Sequence, residues 1–383
     1  MKKMYRVLGL IVLLSLSLSG SWAQVDVVAG KVRVAVKPLS GAEGALATNV
    51  LASDLNRTLL IEAAVGQKQE KFTASGSFSG GVLTGRLSGQ GGQTVLSKTY
   101  SGDWRRATHE FADDITLAVT GVKGFATAKV AFISNQSGKK ELYVMDIDGG
   151  NLRQITRDNS ISNAPSWNWQ GTEIAYTSYK SGYPDVYKIQ LASGARTRVA
   201  AFPGINSGAH FSPDGGKLAL TLSKDGNPDI YVMPSAGGTP TRLTHTRGTE
   251  TSPCWSPVGD RIVFSSDDRG APQLCVVPAA GGEPSRLPTM SGFCTEPDWS
   301  PDGKKITYTL RAGGQFQIGV FDFDTRTAQQ VTTGGGQNSS WTPNSRHVVY
   351  AHAGALYVLD TVTRLAKKLE CGVKGCSEPS VTH

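Results

Sequence analysis

An aromatic residue followed by a tight turn returns along this chain at a near-constant interval. Trp167, Phe211, Trp255, Trp299 and Trp341 stand 44, 44, 44 and 42 residues apart. The turns that follow read NWQG, SPDG, SPVG, SPDG and TPNS. In the Pro-Asp-Gly form, proline presets φ, aspartate bonds neighbouring amides and glycine permits positive φ. After each turn comes an apolar run: IAYTS from Ile174, LALTL from Leu218, IVFSS from Ile262, ITYTL from Ile306 and VVYAH from Val348. A sixth copy, VAFIS from Val130, precedes them. Each unit adds a second run, such as IYVMP at Ile230, and a third that ends near Leu243 in the same unit. Four short strands in about 44 residues is the period of a β-propeller blade.

The first unit opens directly on VAFIS and lacks the strand that carries the aromatic. The C-terminus holds a spare copy of that strand. SEPSV, Ser377 to Val381, matches TEPDW and TSPCW with Val381 in the aromatic position. A ring of blades has to protect its last edge. The expectation is a mainly β protein: a six-bladed propeller over 125–383, closed by the C-terminal strand.

The repeat is missing before residue 125. The first residues, MKKMYRVLGLIVLLSLSLSGSWA, combine a basic start, an apolar stretch over Val7–Leu18 and a small-x-small cut at Ser21–Ala23. This reads as a signal peptide over 1–23, and the mature protein is expected to be exported. Residues 24–124 then read as a small α+β domain. KVRVAVK alternates as a strand does, and Leu46, Val50, Leu51, Leu55 and Leu59 follow helical spacing. Three further strands come next. Asp103 is placed to cap a second helix that Gly121 ends.

Composition narrows the function. Without Lys2, Lys3 and Arg6, 36 bases face 31 acids, a net charge of +5 that is dispersed along the chain. No basic stripe suits a nucleic acid. G-x-S-x-G, H-E-x-x-H and P-loop patterns are all missing, and no paired carboxylates share a motif, so no catalytic residue is nominated and an enzyme is not expected. His210 and His245 approach the expected funnel, yet neither has a carboxylate or cysteine at ligand spacing, so no metal or cofactor is expected. The five cysteines include Cys371 and Cys376, which bracket a GVKG loop and form a candidate disulfide in an oxidising compartment. An odd count leaves at least one thiol free.

The links that enter the inner strands share one face with the links between the two middle strands. They are rich in Gly, Ser, Asn, Thr and Pro, and together frame a concave polar platform. Two readings of such a platform differ from protein docking. One is a secreted propeller for a glycan or small solute, using Tyr179, Tyr183 and Phe293. The other is a propeller that regulates an exported hydrolase.

The repeated W-S-P-D-G-x-x-I-x-[YF] followed by I-Y-V-M-D resembles the TolB-type propeller repeat. NVLASDLNRTLLIE at 49–62 and ATHEFADDITLAVTGVKGFATAKVAFIS at 107–134 are similar to the family's N-terminal helix and its bridge into the first blade. The resemblance implies a monomeric, periplasmic Tol-Pal component, held peripherally at the outer membrane by its partner, that supports envelope integrity and division. It implies binding of the lipoprotein Pal at the funnel, through Asn206, Ser207, Gly208, Thr251 and Ser252, with Glu296 and Asn163 added by repeat symmetry. It also implies binding of TolA through the mature N-terminus, at Val25, Asp26 and Val27.

Overall fold

The computed structural model describes residues 30–66 and 70–383. The expected signal peptide and Val25, Asp26 and Val27 lie outside the described residues. Among those described, the protein is mainly β, with two helices and a ring of six four-stranded blades. No helix among them is long and apolar enough to cross a membrane.

The N-terminal unit is one sheet with both helices packed on it. Its elements are β1 (Val32–Val36), α1 (Gly44–Arg57), β2 (Ile61–Val65), β3 (Phe72–Ser79), β4 (Val82–Gly89), β5 (Thr94–Ser101) and α2 (Trp104–Thr120). The strand order is β2-β1-β3-β4-β5, with β1 parallel to both neighbours. Leu51 and Leu55 from α1 meet Leu83, Leu87, Phe111 and Ile115 in one core. α2 passes so close to β4 that a Cβ on Gly85 would sit 2.8 Å from the Phe111 ring, so glycine is required there. α2 begins as its sequence predicts. The Asp103 carboxylate accepts the Arg105 and Arg106 N–H groups at 3.0 and 3.1 Å. It ends at Gly121, whose φ of 72° only glycine adopts freely.

The end of α1 departs from expectation. Helical spacing runs on to Leu59, but the helix stops at Arg57 and Ile61 opens β2. Leu59 takes φ 61°, which breaks the helix. Asn56 then rewards the turn. Its side chain donates to Ala63 O at 2.8 Å and accepts from Ala63 N at 3.2 Å, imitating a strand partner for β2.

Three devices recur among the blades, the third in all six. In the first, the turn serine closes its own hairpin. Ser300 Oγ donates to Asp302 at 2.6 Å and accepts Lys305 N–H at 2.8 Å; Ser212 and Ser256 act alike. The Pro-Asp-Gly turn is therefore a structural joint, as its chemistry suggests. In the second, a threonine after the outermost strand ties back to the third. Thr332 Oγ1 donates to Gln317 at 2.8 Å and accepts Ile318 N–H at 2.8 Å, and Thr244 does the same with Asp229 and Ile230. The third device is a bulge in every inner strand. Ala164, Gly208, Ser252, Glu296, Asn338 and Glu378 all have φ between 49° and 62°, and each pairing shifts register there.

Closure is as expected. Cys376–Val381 pairs antiparallel with Lys129–Ser134 and supplies the inner strand of the first blade. Cys371 and Cys376, the candidate disulfide pair, meet at this seam as thiols. Both are buried, and each S–H has an acceptor: Leu369 O at 3.7 Å and Val373 O at 3.3 Å.

The N-terminal unit sits on the turn face of the ring. Arg105 from α2 pairs with Asp148 and lies 3.4 Å from Asp146, which also takes Lys129 at 2.6 Å. Asp113 accepts Ala126 N–H at 2.6 Å, and burial pushes its carboxyl up to about 6. His347, at the start of a strand in the last blade, donates from Nε2 to Thr58 O at 2.6 Å and packs at a tilt against Phe125, with ring centres 4.8 Å apart.

Burial holds the His347 imidazole down at about 4, against an opposing pull from Asp360 and with help from Arg346. An unfolded histidine titrates near 6.5. Folding therefore favours the neutral ring, and this stability is complete above pH ~6.5 and is lost as pH falls through about 4. Wild type should exceed His347→Gln by its widest margin in urea unfolding at neutral pH. That margin should shrink by up to about 3 kcal/mol toward pH 4. A margin that ignores pH would mean that the ring is not held neutral.

Candidate docking face and channel

Inner strands run from the loop face toward the turn face, so each blade sends the same positions into the centre. At one end lies a channel of about 450 Å³. Its mouth is the ring of bulges, including Gly208, Ser252, Glu296, Asn338 and Glu378; its deeper wall includes Ser166, His210, Asp298, Ser340 and Ser380. The bulge is what shapes the mouth. A residue at positive φ turns its own N–H out of the ladder, and a neighbour must receive it. Glu378 takes Ala164 N–H at 2.7 Å, Glu296 takes Asn338 N–H at 3.2 Å, and Thr177 takes Gly208 N–H at 3.2 Å.

The residues singled out from the sequence separate into three groups. Gly208 and Ser252 line the mouth. Ser207, Thr251 and Asn163 are half-buried and stand one position earlier in the same strands. Glu296 lines the mouth too, but its carboxylate is committed to Thr309 at 2.7 Å and to the next blade; burial raises its pKa. Asn206 leaves the face altogether. It is fully buried, and its amide bonds Phe202 N and O at 2.8 Å each and reaches Pro184 O at 3.2 Å. It braces the loop that presents Ser207 and Gly208.

Residues missed from the sequence include Asn338 and Glu378, the bulge residues of the last two units. Both stand three residues before the aromatic position of their repeat, Trp341 and Val381, as Glu296 stands before Trp299, so the same alignment points to them. The surrounding rim was missed as well. Among the described residues, the blades expose nine large apolar side chains, and six are on this face: Ile161, Tyr179, Tyr183, Ile205 and Met290 on loops, and Phe316 at the start of the strand Gln315–Asp322. Tyr179 and Tyr183 share one loop, while Phe293 packs on Phe316 at 5.8 Å in another blade. The three aromatics do not converge on the channel as a sugar platform would.

The deep wall changes the reading of His210. From the sequence it lacks a partner at ligand spacing; the ring supplies two. His210, Cys254 and Asp298 each immediately precede the aromatic of their blade, and their donor atoms lie within 4.8 Å of one another. The same side chains take N–H groups from the next blade. Trp299 N–H reaches Cys254 Sγ at 3.3 Å, and Trp341 N–H reaches Asp298 Oδ2 at 2.7 Å. Burial pushes the Asp298 carboxyl up to about 6 and the Cys254 thiol well above its usual range. His245 instead follows the outermost strand of its blade and is exposed, away from this wall. A second cluster, Asp54, His109 and Asp148, lies between the N-terminal unit and the ring. Its two carboxylates are already paired, Asp148 with Arg105 and Asp54 with Arg57.

The geometry predicts different outcomes for neighbouring substitutions. Asn206→Ala deletes a buried amide with four backbone partners, and should cost about 1–3 kcal/mol of unfolding free energy. Ser207→Ala, one residue on, should stay within about 0.5 kcal/mol of wild type. Urea titration of the two variants checks both values.

The family model described as TolB beta propeller domain matches residues 117–380. The Tol-Pal system protein TolB of Geobacter sulfurreducens is 44% identical over 85 residues, which is 21% of this chain and 20% of that protein. The protein TolB homolog of Chlorobium luteolum is 41% identical over 85 residues, again 21% and 20%. The chain thus matches about a fifth of the length of these curated relatives. In shape, TolB from Acinetobacter baumannii superposes with a TM-score of 0.84 at 24% identity, covering 92% of this chain and 97% of that one. At that identity the fold is what the two share.

Proposed function

Because the chain belongs to the TolB β-propeller family, we propose that it is a non-enzymatic docking protein of the Tol-Pal system, exported to the periplasm. In this reading the mature chain divides into an N-terminal unit, 24–124, and the ring, 125–383. The loop face of the ring takes the lipoprotein Pal.

One observation carries the reading: the apolar rim around a polar mouth. Tyr183 is 74% exposed and Met290 is 59% exposed, with Ile161, Ile205 and Phe316 also exposed. Apolar side chains around a rigid polar depression suit a protein partner, which needs aromatic and aliphatic anchors and a few fixed polar contacts. The strands beneath hold the loops, so binding spends little on ordering them. Ser207, Gly208, Thr251 and Ser252 offer hydroxyl and backbone groups at the mouth. Asn206 serves indirectly, by holding its loop. The TolA interaction is assigned to Val25, Asp26 and Val27 on family resemblance alone.

Titration calorimetry with the soluble domain of Pal from the same organism tests the proposal. Ile205→Asp combined with Thr251→Arg should weaken binding at least tenfold, about 1.4 kcal/mol. Deletion of residues 24–29 should leave Pal binding unchanged and remove TolA binding. A folded wild-type chain that gives no heat and no competition would sink the docking assignment.

A further inference from the structure

We propose that His210, Cys254 and Asp298 form a site for one borderline-soft divalent cation, zinc being the fitting class, at the inner end of the channel. The three side chains come from three successive blades, and their donor atoms lie within 4.8 Å of one another. Donors around tetrahedral zinc stand roughly 3.3–3.8 Å apart, given bonds of ~2.0–2.3 Å. Closing that gap asks for about 1 Å of side-chain movement. The backbone already stands as a ring at this radius.

The donor set selects the metal. A thiolate refuses hard cations such as magnesium and calcium, while imidazole with carboxylate suits zinc and cobalt. His210 is oriented for the task. Its Nδ1 lies 3.1 Å from Phe211 O and 3.5 Å from Trp255 N, which fixes that edge of the ring and leaves Nε2 as the nitrogen for an ion. Asp298 lies deep in the wall with no Lys, Arg or His in ion-pair range among the described residues, although Cys254 Sγ stands 3.5 Å from its Oδ1. A bound dication answers that carboxylate. On binding, the Cys254 S–H proton leaves for solvent and the sulfur lone pair forms the metal–sulfur bond.

His383 stacks on Trp169 at 4.6 Å with its Nδ1 buried and without a hydrogen-bond partner, but it is outside the group of donors that stand within 4.8 Å of one another, so the fourth position on the ion is left for water. Entry is from the loop face, past the Glu296 and Glu378 carboxylates at the mouth.

The test uses the full mature chain, reduced and freed of metal, titrated with Co²⁺ and then Zn²⁺. Cobalt should bind once per chain and give a thiolate-to-metal charge-transfer band, which zinc then displaces. Cys254→Ser should lose the band and bind zinc at least 100-fold more weakly. Cys371→Ser with Cys376→Ser should keep both. Should Cys254→Ser fail to fold, X-ray absorption on the zinc-loaded wild type decides: one sulfur and two or three nitrogen or oxygen neighbours are expected. A band that survives in folded Cys254→Ser, a zinc shell without sulfur, or a folded wild type that shows no band at millimolar cobalt would each overturn the site.

Discussion

The antiparallel ladder between Lys129–Ser134 and Cys376–Val381 joins two segments almost 250 positions apart in the chain. Without it, the first blade would present an open edge at Val130–Ile133, and the last blade would lose the inner strand it packs on. Strand edges of this kind invite pairing with other chains. The contacts on either side show how much leans on the seam. Ser134 Oγ donates to Lys374 O at 2.6 Å, Trp167 Nε1 donates to Ser380 O at 3.0 Å, and Glu378 takes both Lys140 and the Ala164 N–H. The second blade is thus tied to the C-terminal strand directly, and not only through the first. Centring the channel follows from this closure, because only a shut ring holds six inner strands at one radius.

The repeat was legible because its chemistry is local. A turn of Ser, Pro, Asp and Gly closes its own hairpin through one hydroxyl and one carboxylate, so the residues that cause the turn also announce it. Blade number and the C-terminal closure followed from counting these turns and noticing that the first inner strand was missing. α2 was legible for the same reason, since Asp103 and Gly121 act within one helical turn. What failed was non-local. β2 could not be told from a continuing helix, because Leu59 fits helical spacing, and the Asn56–Ala63 bonds that favour a strand cross seven positions.

The site divides along the same line. Gly208 and Ser252 could be placed at the mouth by aligning turns, but Asn206 could not be told apart from Ser207. Along an inner strand, adjacent residues point to opposite sides, and a bulge after them changes which side faces the channel. Asn206 falls on the side that the loop covers. Glu296 shows a related effect: an acidic residue near a binding face reads as a contact, yet here it caps an N–H that the bulge has turned out of the ladder.

Ring geometry also explains why ligand spacing misleads in a propeller. Metal motifs are usually sought within a few residues, on one helix or one loop. In a closed ring the deepest point is reached once per blade, so neighbours at the centre are neighbours at intervals of 44. The column Ser166, His210, Cys254, Asp298, Ser340 and Ser380 is therefore a single physical neighbourhood written six times along the sequence. Serines at three of its positions keep half the ring small and neutral. The imidazole, thiol and carboxylate fall on consecutive blades, so the column places all of its distinctive chemistry on one side of the channel, where three donors can meet one ion.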